Sequence, residues 1–196
     1  MDFLSLLVGF SLGVAALLML ALATAYRDLD LPLQSRAAGW VMLLGLAHTQ
    51  WSHLGMLDPT AAMPLTRSYV LVLFLQSLGF YWLLLGLLRR NEDWRRWEWS
   101  LPLLVLAAGA LIPLAWAIPL ALGMGTVFAL HLALLLWRLR ALRRWFRLEL
   151  PVVLVFALMG GTIGIAGVWA PFGLGWPAYV QIYAWMIALG FFGVLW

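Results

Sequence analysis

The chain reads as an all-α polytopic membrane protein, a bundle of seven transmembrane helices with the N-terminus outside and the C-terminus inside. Three observations predict this. Hydrophobic residues make up 65% and charged residues 10% of 196 positions, with a mean hydropathy of +0.99, whereas a soluble domain carries roughly 25% charged residues. The apolar residues fall in runs long enough to cross a ~30 Å hydrocarbon core, divided by links that carry proline, glycine and arginine. The arginines also alternate from link to link, which sets the orientation.

The first span covers residues 3–26. Met1-Asp2-Phe3 lacks the basic n-region of a signal peptide and the apolar run is too long for one, so this is a retained helix. Arginines 27 and 36 and the breaker Pro32 mark the first link. The second span, 37–57, ends at Asp58-Pro59-Thr60, and the third, 69–88, follows a link with Pro64 and Arg67. The next link mixes Arg89, Arg90, Arg95 and Arg96 with Trp94, Trp97 and Trp99, a composition suited to lipid headgroups. Residues 101–137 then carry no charge at all. As one helix they would be roughly 55 Å long, nearly twice the hydrocarbon thickness. They must fold back between Pro113 and Pro119, giving spans 101–116 and 119–137.

Arg138 and the face of Arg140, Arg143, Arg144 and Arg147 follow at helical spacing, which predicts an extension of the fifth helix beyond the membrane. That face suits either anionic lipid headgroups or a docked cytoplasmic domain. The sixth span, 151–169, opens on Pro151, a good first-turn residue. A tight turn at 171–177 leads to the seventh span, 178–196. The first, third and fifth links together hold eleven of the twelve basic residues, and the second, fourth and sixth hold only Arg67. Arginine-rich short loops stay cytoplasmic, which puts the N-terminus outside. Because Trp196 falls at the inner surface with no basic flank after it, the chain is expected to be the membrane part of a longer protein with a cytoplasmic output domain.

Composition removes several functions. Without cysteine there are no disulfides, thiolate metal sites or cysteine nucleophiles. Without lysine there is no retinal Schiff base. No hydrolase elbow, zinc-protease motif, phosphate loop or paired intramembrane carboxylate occurs, so the chain is not expected to be an enzyme, nor to carry a cofactor or metal. His48 and His53 lie about 140° apart around a helix, and His131 falls at a different depth, which disfavours axial haem ligation.

The candidate site begins in His48-Thr49-Gln50-Trp51-Ser52-His53, at the end of the second span. Polar side chains inside a bilayer usually face a protein interior or a cavity. Helical rise puts Gln50 and His53, Gln76 and Ser77 of the third span, and Tyr179, Gln181 and Tyr183 of the seventh at one level in the outer half. Gln50, Trp51, His53, Gln76, Gln181 and Tyr183 are the candidate ligand-binding residues, for a small or amphiphilic ligand. The alternative is interhelical hydrogen bonding, worth ~0.6 kcal/mol per bond. Gly9-x-x-x-Gly13 and Gly160-x-x-x-Gly164 are small-residue motifs, read either as packing within the subunit or as a homodimer contact.

Tyr69-Val-Leu-Val-Leu-Phe-Leu-Gln-Ser-Leu-Gly-Phe-Tyr81, the charged link, Trp99-Ser-Leu-Pro102, the arginine-rich stretch and the closing Ala188-Leu-Gly-Phe-Phe-Gly193 together resemble a known layout. It is that of the N-terminal multi-span region of bacterial membrane-bound transcription regulators of the AraC type. The resemblance implies a sensor in the bacterial inner membrane that signals through its seventh helix to a helix-turn-helix domain. DNA would then be a partner only through a C-terminal domain absent from this chain. Histidine kinases and diguanylate cyclases carry seven-span sensory regions as well. A haem- or quinone-binding redox subunit, or a small transporter, is the competing class.

Overall fold

A computed structural model describes residues 3–24, 33–56, 66–89, 96–142 and 146–195. The links around Pro32, Asp58, Pro64 and Trp94, together with Arg143, Arg144 and Trp196, lie outside the described residues. Among the described residues there are seven α-helices: α1 (Phe3–Ala23), α2 (Leu33–Met56), α3 (Arg67–Leu88), α4 (Arg96–Leu111), α5 (Leu114–Arg138), α6 (Phe146–Trp169) and α7 (Trp176–Leu195). Three stretches are long and apolar enough to cross a membrane: Phe3–Ala23, Arg67–Gly86 and Leu114–Arg138. Shorter apolar stretches occupy Trp97–Leu111 and Val153–Trp169. The polar residues of α2 lower its hydropathy, yet it packs along both α1 and α3.

The helices close a ring. Contacts run from α1 to α2, α3, α5, α6 and α7 and back to α1, while α4 packs mainly against α3. The largest apolar cluster joins Tyr69, Leu73 and Leu78 of α3 to Ile118 and Ala121 of α5, Ile163 of α6 and Val180 and Tyr183 of α7. A second gathers Tyr81, Leu85, Leu132, Leu136 and Val153, and a third Val14, Ala15, Leu43, Leu46 and Phe191.

Helix ends follow local chemistry more closely than hydropathy. The chain does fold back in the long uncharged stretch, but at Pro113 itself, which is the N-cap of α5 with φ −55° and ψ 139°. A proline biases the preceding residue away from helical backbone, so α4 stops at Leu111 and Pro119 is carried within α5. The arginine-rich stretch does not extend the fifth helix. α5 ends at Arg138, one 3-10 turn spans Arg140–Leu142, and α6 starts at Phe146, ahead of Pro151. The reversal comes early because Phe146 packs edge-on against Trp137, with ring centroids 5.7 Å apart. Arg140 and Arg147 consequently belong to different elements. The tight turn before α7 uses Gly173 (φ 146°) and Gly175 (φ 79°), backbone that a side chain would strain.

Two glycines fix the α2–α3 crossing. A methyl group on Gly79 would stand 2.8 Å from the Met42 nitrogen and 2.9 Å from the Ala38 oxygen. On the other helix, Gly45 lies against Gln76 Cβ, 3.0 Å from where its own Cβ would be. This close approach carries Gln76 into reach of α2. Gly160 and Gly161 face Thr126 of α5, whereas Gly9 and Gly13 meet nothing within 4 Å.

Two arginines tie α4 to α3. Arg67, the lone arginine of the even-numbered links, donates to the Gly109 carbonyl at 3.2 Å and to the Ile112 carbonyl. These belong to the set a helix C-terminus leaves without partners. At the opposite end, Arg89 Nη1 donates to Glu98 Oε1 at 2.7 Å, with both side chains buried.

Candidate functional site

The polar side chains of α2 sort by helical angle. Thr49, Gln50 and His53 are spaced i, i+1 and i+4 and are all buried, whereas His48 and Trp51 face outward. On α7, Tyr179 and Tyr183 are spaced i, i+4 and both are buried. Residues three or four apart share a helix face and residues two apart do not. Thr49 and His53 meet Tyr69 and Gln76 of α3 and Tyr179 and Tyr183 of α7 in one cluster between three helices, with Gln50 buried one residue along α2 from Thr49.

Thr66 helps to place Tyr69. It is the N-cap of α3, and its hydroxyl accepts from the Tyr69 backbone N–H at 3.3 Å. The Tyr69 hydroxyl then meets His53 Nε2 at 2.8 Å. The His53 ring stands edge-on to Tyr183, with centroids 4.5 Å apart, and more distantly to Tyr179 at 6.4 Å. An edge-to-face pair puts the positive rim of one ring against the negative face of the other.

The cluster has a bonded half and an unbonded half. In the bonded half, Gln76 Nε2 donates to the Tyr183 hydroxyl at 3.1 Å, and that hydroxyl lies 3.2 Å from Thr49 Oγ1. Thr49 Oγ1 can in turn donate to the Gly45 or Leu46 carbonyl, 3.1 and 3.0 Å away. A directed chain of hydrogen bonds thus joins α3, α7 and α2. The other half is different. Gln50 is 1% exposed and neither its Nε2 nor its Oε1 has a hydrogen-bond partner, and His53 Nδ1 lacks one as well. A buried polar atom without a partner costs ~1–3 kcal/mol, and such groups are uncommon in native folds.

Of the six residues singled out from the sequence, the structure brings His53, Gln76 and Tyr183 together, and Gln50 is buried three positions before His53 on α2. Gln181 and Trp51 lie on other faces of their helices, away from this cluster. Gln181 is exposed and Trp51 is 70% exposed. The reason is the i, i+2 offset: Gln181 lies about 200° around the helix from Tyr179, and Trp51 as far from Thr49. Equal depth does not imply a shared face. The sequence reading overlooked Thr49 and Tyr69 as members. The i, i+4 pairing of Thr49 with His53 was the available signal for the first, whereas Tyr69 had none beyond its place at the start of a span.

The remaining candidates lie elsewhere. Arg140 sits 5.1 Å from the Trp137 ring centre and donates to the Trp137 carbonyl at 3.1 Å. Arg147 is exposed on α6, and Arg143 and Arg144 lie outside the described residues. His131 pairs with the Tyr81 hydroxyl through Nδ1 at 3.0 Å, linking α5 to α3. A shallow groove of about 450 Å³ between α5 and α6 is lined by Pro119, Gly123, Thr126, Gly161, Gly164 and neighbours. It shares no residue with the polar cluster.

Compared with protein families, curated proteins and solved structures, the chain matches none.

Proposed function

We propose that the chain is a membrane-embedded sensory bundle of seven spans, N-terminus outside, that binds a small ligand between α2, α3 and α7. The observation that carries this is the Gln50 amide, buried with both its nitrogen and its oxygen unpartnered. An amide presents two donors and an acceptor oxygen, so a group with both an acceptor and a donor would satisfy it. The cluster contains no charged side chain, and a charged ligand would be costly there. An uncharged polar head therefore fits best. α7 contributes Tyr179 and Tyr183 to the site and, in this orientation, runs on to the cytoplasmic side. Binding can shift α7 only by the difference in ligand affinity between its two positions. The signal is proposed to reach a cytoplasmic transcription-regulating domain, as in the AraC-type layout, with Arg140 and Arg147 against anionic headgroups of a bacterial inner membrane.

The two halves of the cluster predict opposite outcomes. Replacing Gln50 with Leu removes unsatisfied atoms at similar volume, so the chain should become more stable by about 1 kcal/mol. Its co-purifying small molecule, read by native mass spectrometry from lipid nanodiscs, should disappear. Tyr183→Phe breaks the bonded chain and should cost about 1 kcal/mol. Equal ligand occupancy in wild type and Gln50→Leu would sink the sensory reading.

Orientation has its own test, which the cysteine-free sequence makes clean. A membrane-impermeant maleimide should label Phe172→Cys in intact cells and Ala141→Cys only after permeabilisation. Both positions are exposed at chain reversals. The reverse pattern would invert the topology.

A further inference from the structure

α2 has a second face. Beyond Leu33 at its start, the residues it turns outward are Ala37, Val41, Leu44, His48, Trp51 and Gly55, spaced alternately four and three apart. That is the spacing of a helix–helix seam. Five of the six are apolar or small and would be content in lipid. His48 would not. It lies eight positions before Met56, ~12 Å along the helix, and an imidazole is too short to reach the headgroups from that depth in the way an arginine can. Polar groups at such depth face protein or water-filled space rather than lipid.

We propose that this face of α2 is the contact with a second copy of the same chain, and that His48 pairs across it with His48 of the partner. The inference rests on the spanning orientation proposed above and adds a surface that the ligand cluster does not use. The occupant follows from symmetry. A two-fold axis along the membrane normal sets each α2 parallel to its mate, so every seam residue meets its own counterpart at the same depth. A lone polar residue then needs to be self-complementary. Neutral imidazole is: one ring nitrogen donates and the other accepts. The open pair Gly9 and Gly13 on α1 carries no polar group that calls for a partner, and the exposed Gln181 of α7 lies only five positions from the start of its helix, ~8 Å in, nearer the interface than His48. Gln50 and His53 occupy the opposite side of α2, so pairing along the seam would brace the helix that carries the ligand cluster.

Single cysteines in the full chain, oxidised with copper phenanthroline in membranes, provide the test. Leu44→Cys and Trp51→Cys should give disulfide-linked dimers, while Gly13→Cys on α1 and Leu189→Cys on α7, also exposed, should remain monomeric. Adding His48→Leu to Leu44→Cys should weaken dimer formation roughly three- to tenfold, and His48→Asn should largely retain it. All of these side chains are exposed, so the substitutions leave the fold of the subunit intact. Absence of seam cross-links, equal yields on every face, or indifference to His48→Leu would overturn the proposal. The maleimide labelling above reports on membrane orientation independently, so failure of the dimer is distinguishable from failure of the spanning topology.

Discussion

Gly79→Ala is expected to destabilise the chain by about 2–3 kcal/mol, a large effect for one added methyl group. The reason lies in what that methyl would meet. Its nearest neighbours are the Met42 nitrogen at 2.8 Å, the Ala38 oxygen at 2.9 Å and Met42 Cα at 3.1 Å, all of them backbone atoms of α2. Backbone inside a helix cannot swing aside, so α2 and α3 must separate, at the ~1–3 kcal/mol typical of overpacking. Separation also thins the dispersion contacts along the rest of the crossing. It would act at Gly45, where Gln76 Cβ stands at 3.0 Å from the position a Cβ would take. The Thr49–Gln76 contact, already 3.4 Å long, would open. Gly109 and Gly190 make useful comparisons. Their added methyl groups would come within 2.8 Å of Leu71 Cδ2 and 2.9 Å of Met159 Cε, but these are side-chain ends that can move. Alanine there should cost less, and at Gly9 or Gly13, where space is open, it should cost nothing within the subunit. Unfolding midpoints of the variants in one detergent would rank them. A Gly79→Ala protein as stable as Gly13→Ala would show that the helices do not cross so closely.

Helix positions were legible in the sequence to within a few residues, because hydropathy and the length of a span constrain them strongly. The residual errors share a cause. α2 begins at Leu33 and α4 at Arg96, each including polar residues that a hydropathy boundary excludes but a helix accepts. That residues 101–137 fold back could be read from length and the turn bracketed by Pro113 and Pro119, but Pro113 as the turn itself could not. The end of α5 could not, because the packing of Phe146 on Trp137 is a tertiary contact without a local sign. Glycines show the same limit. The recognisable Gly9-x-x-x-Gly13 motif touches nothing within the subunit, while the isolated Gly45 and Gly79 make the closest crossing. A close approach needs two glycines on different helices, and no single-helix pattern marks them.

The polar cluster was half legible for a related reason. Depth along each helix follows from residue counting, and it grouped α2, α3 and α7 at one level. Angle around the helix decides which groups at that level can meet. Applying the i, i+4 rule selects Tyr179 and Tyr183 over Gln181, and Thr49 and His53 over Trp51. What counting could not reveal is that one half of the cluster would be bonded and the other would not. That distinction depends on distances of a few tenths of an ångström.

Removing Glu98 is expected to be the most damaging single substitution, costing about 3–5 kcal/mol, the usual consequence of breaking a buried ion pair from one side. Arg89 Nη1 and Glu98 Oε1 are 2.7 Å apart, and their side chains are 5% and 0% exposed. Glu98→Ala would remove a buried carboxylate to which Arg89 Nη1 donates, at the C-cap of α3. Arg89→Ala should cost somewhat less, because Glu98 lies in the first turn of α4, where the helix dipole favours a negative charge by ~0.3–1 kcal/mol. The pair ties the end of α3 to the start of α4, the helix least packed against the rest of the bundle. Glu98→Gln keeps an acceptor oxygen but loses the charge, and should fall between wild type and Glu98→Ala. Replacing both members, Arg89→Met with Glu98→Leu, removes both buried charges together and should recover most of the stability. The test is a double-mutant cycle on unfolding midpoints. Single substitutions costing no more than the ~0–1 kcal/mol of an exposed pair, with no coupling in the cycle, would mean that water reaches these groups and that the ion pair does not hold α4 in place.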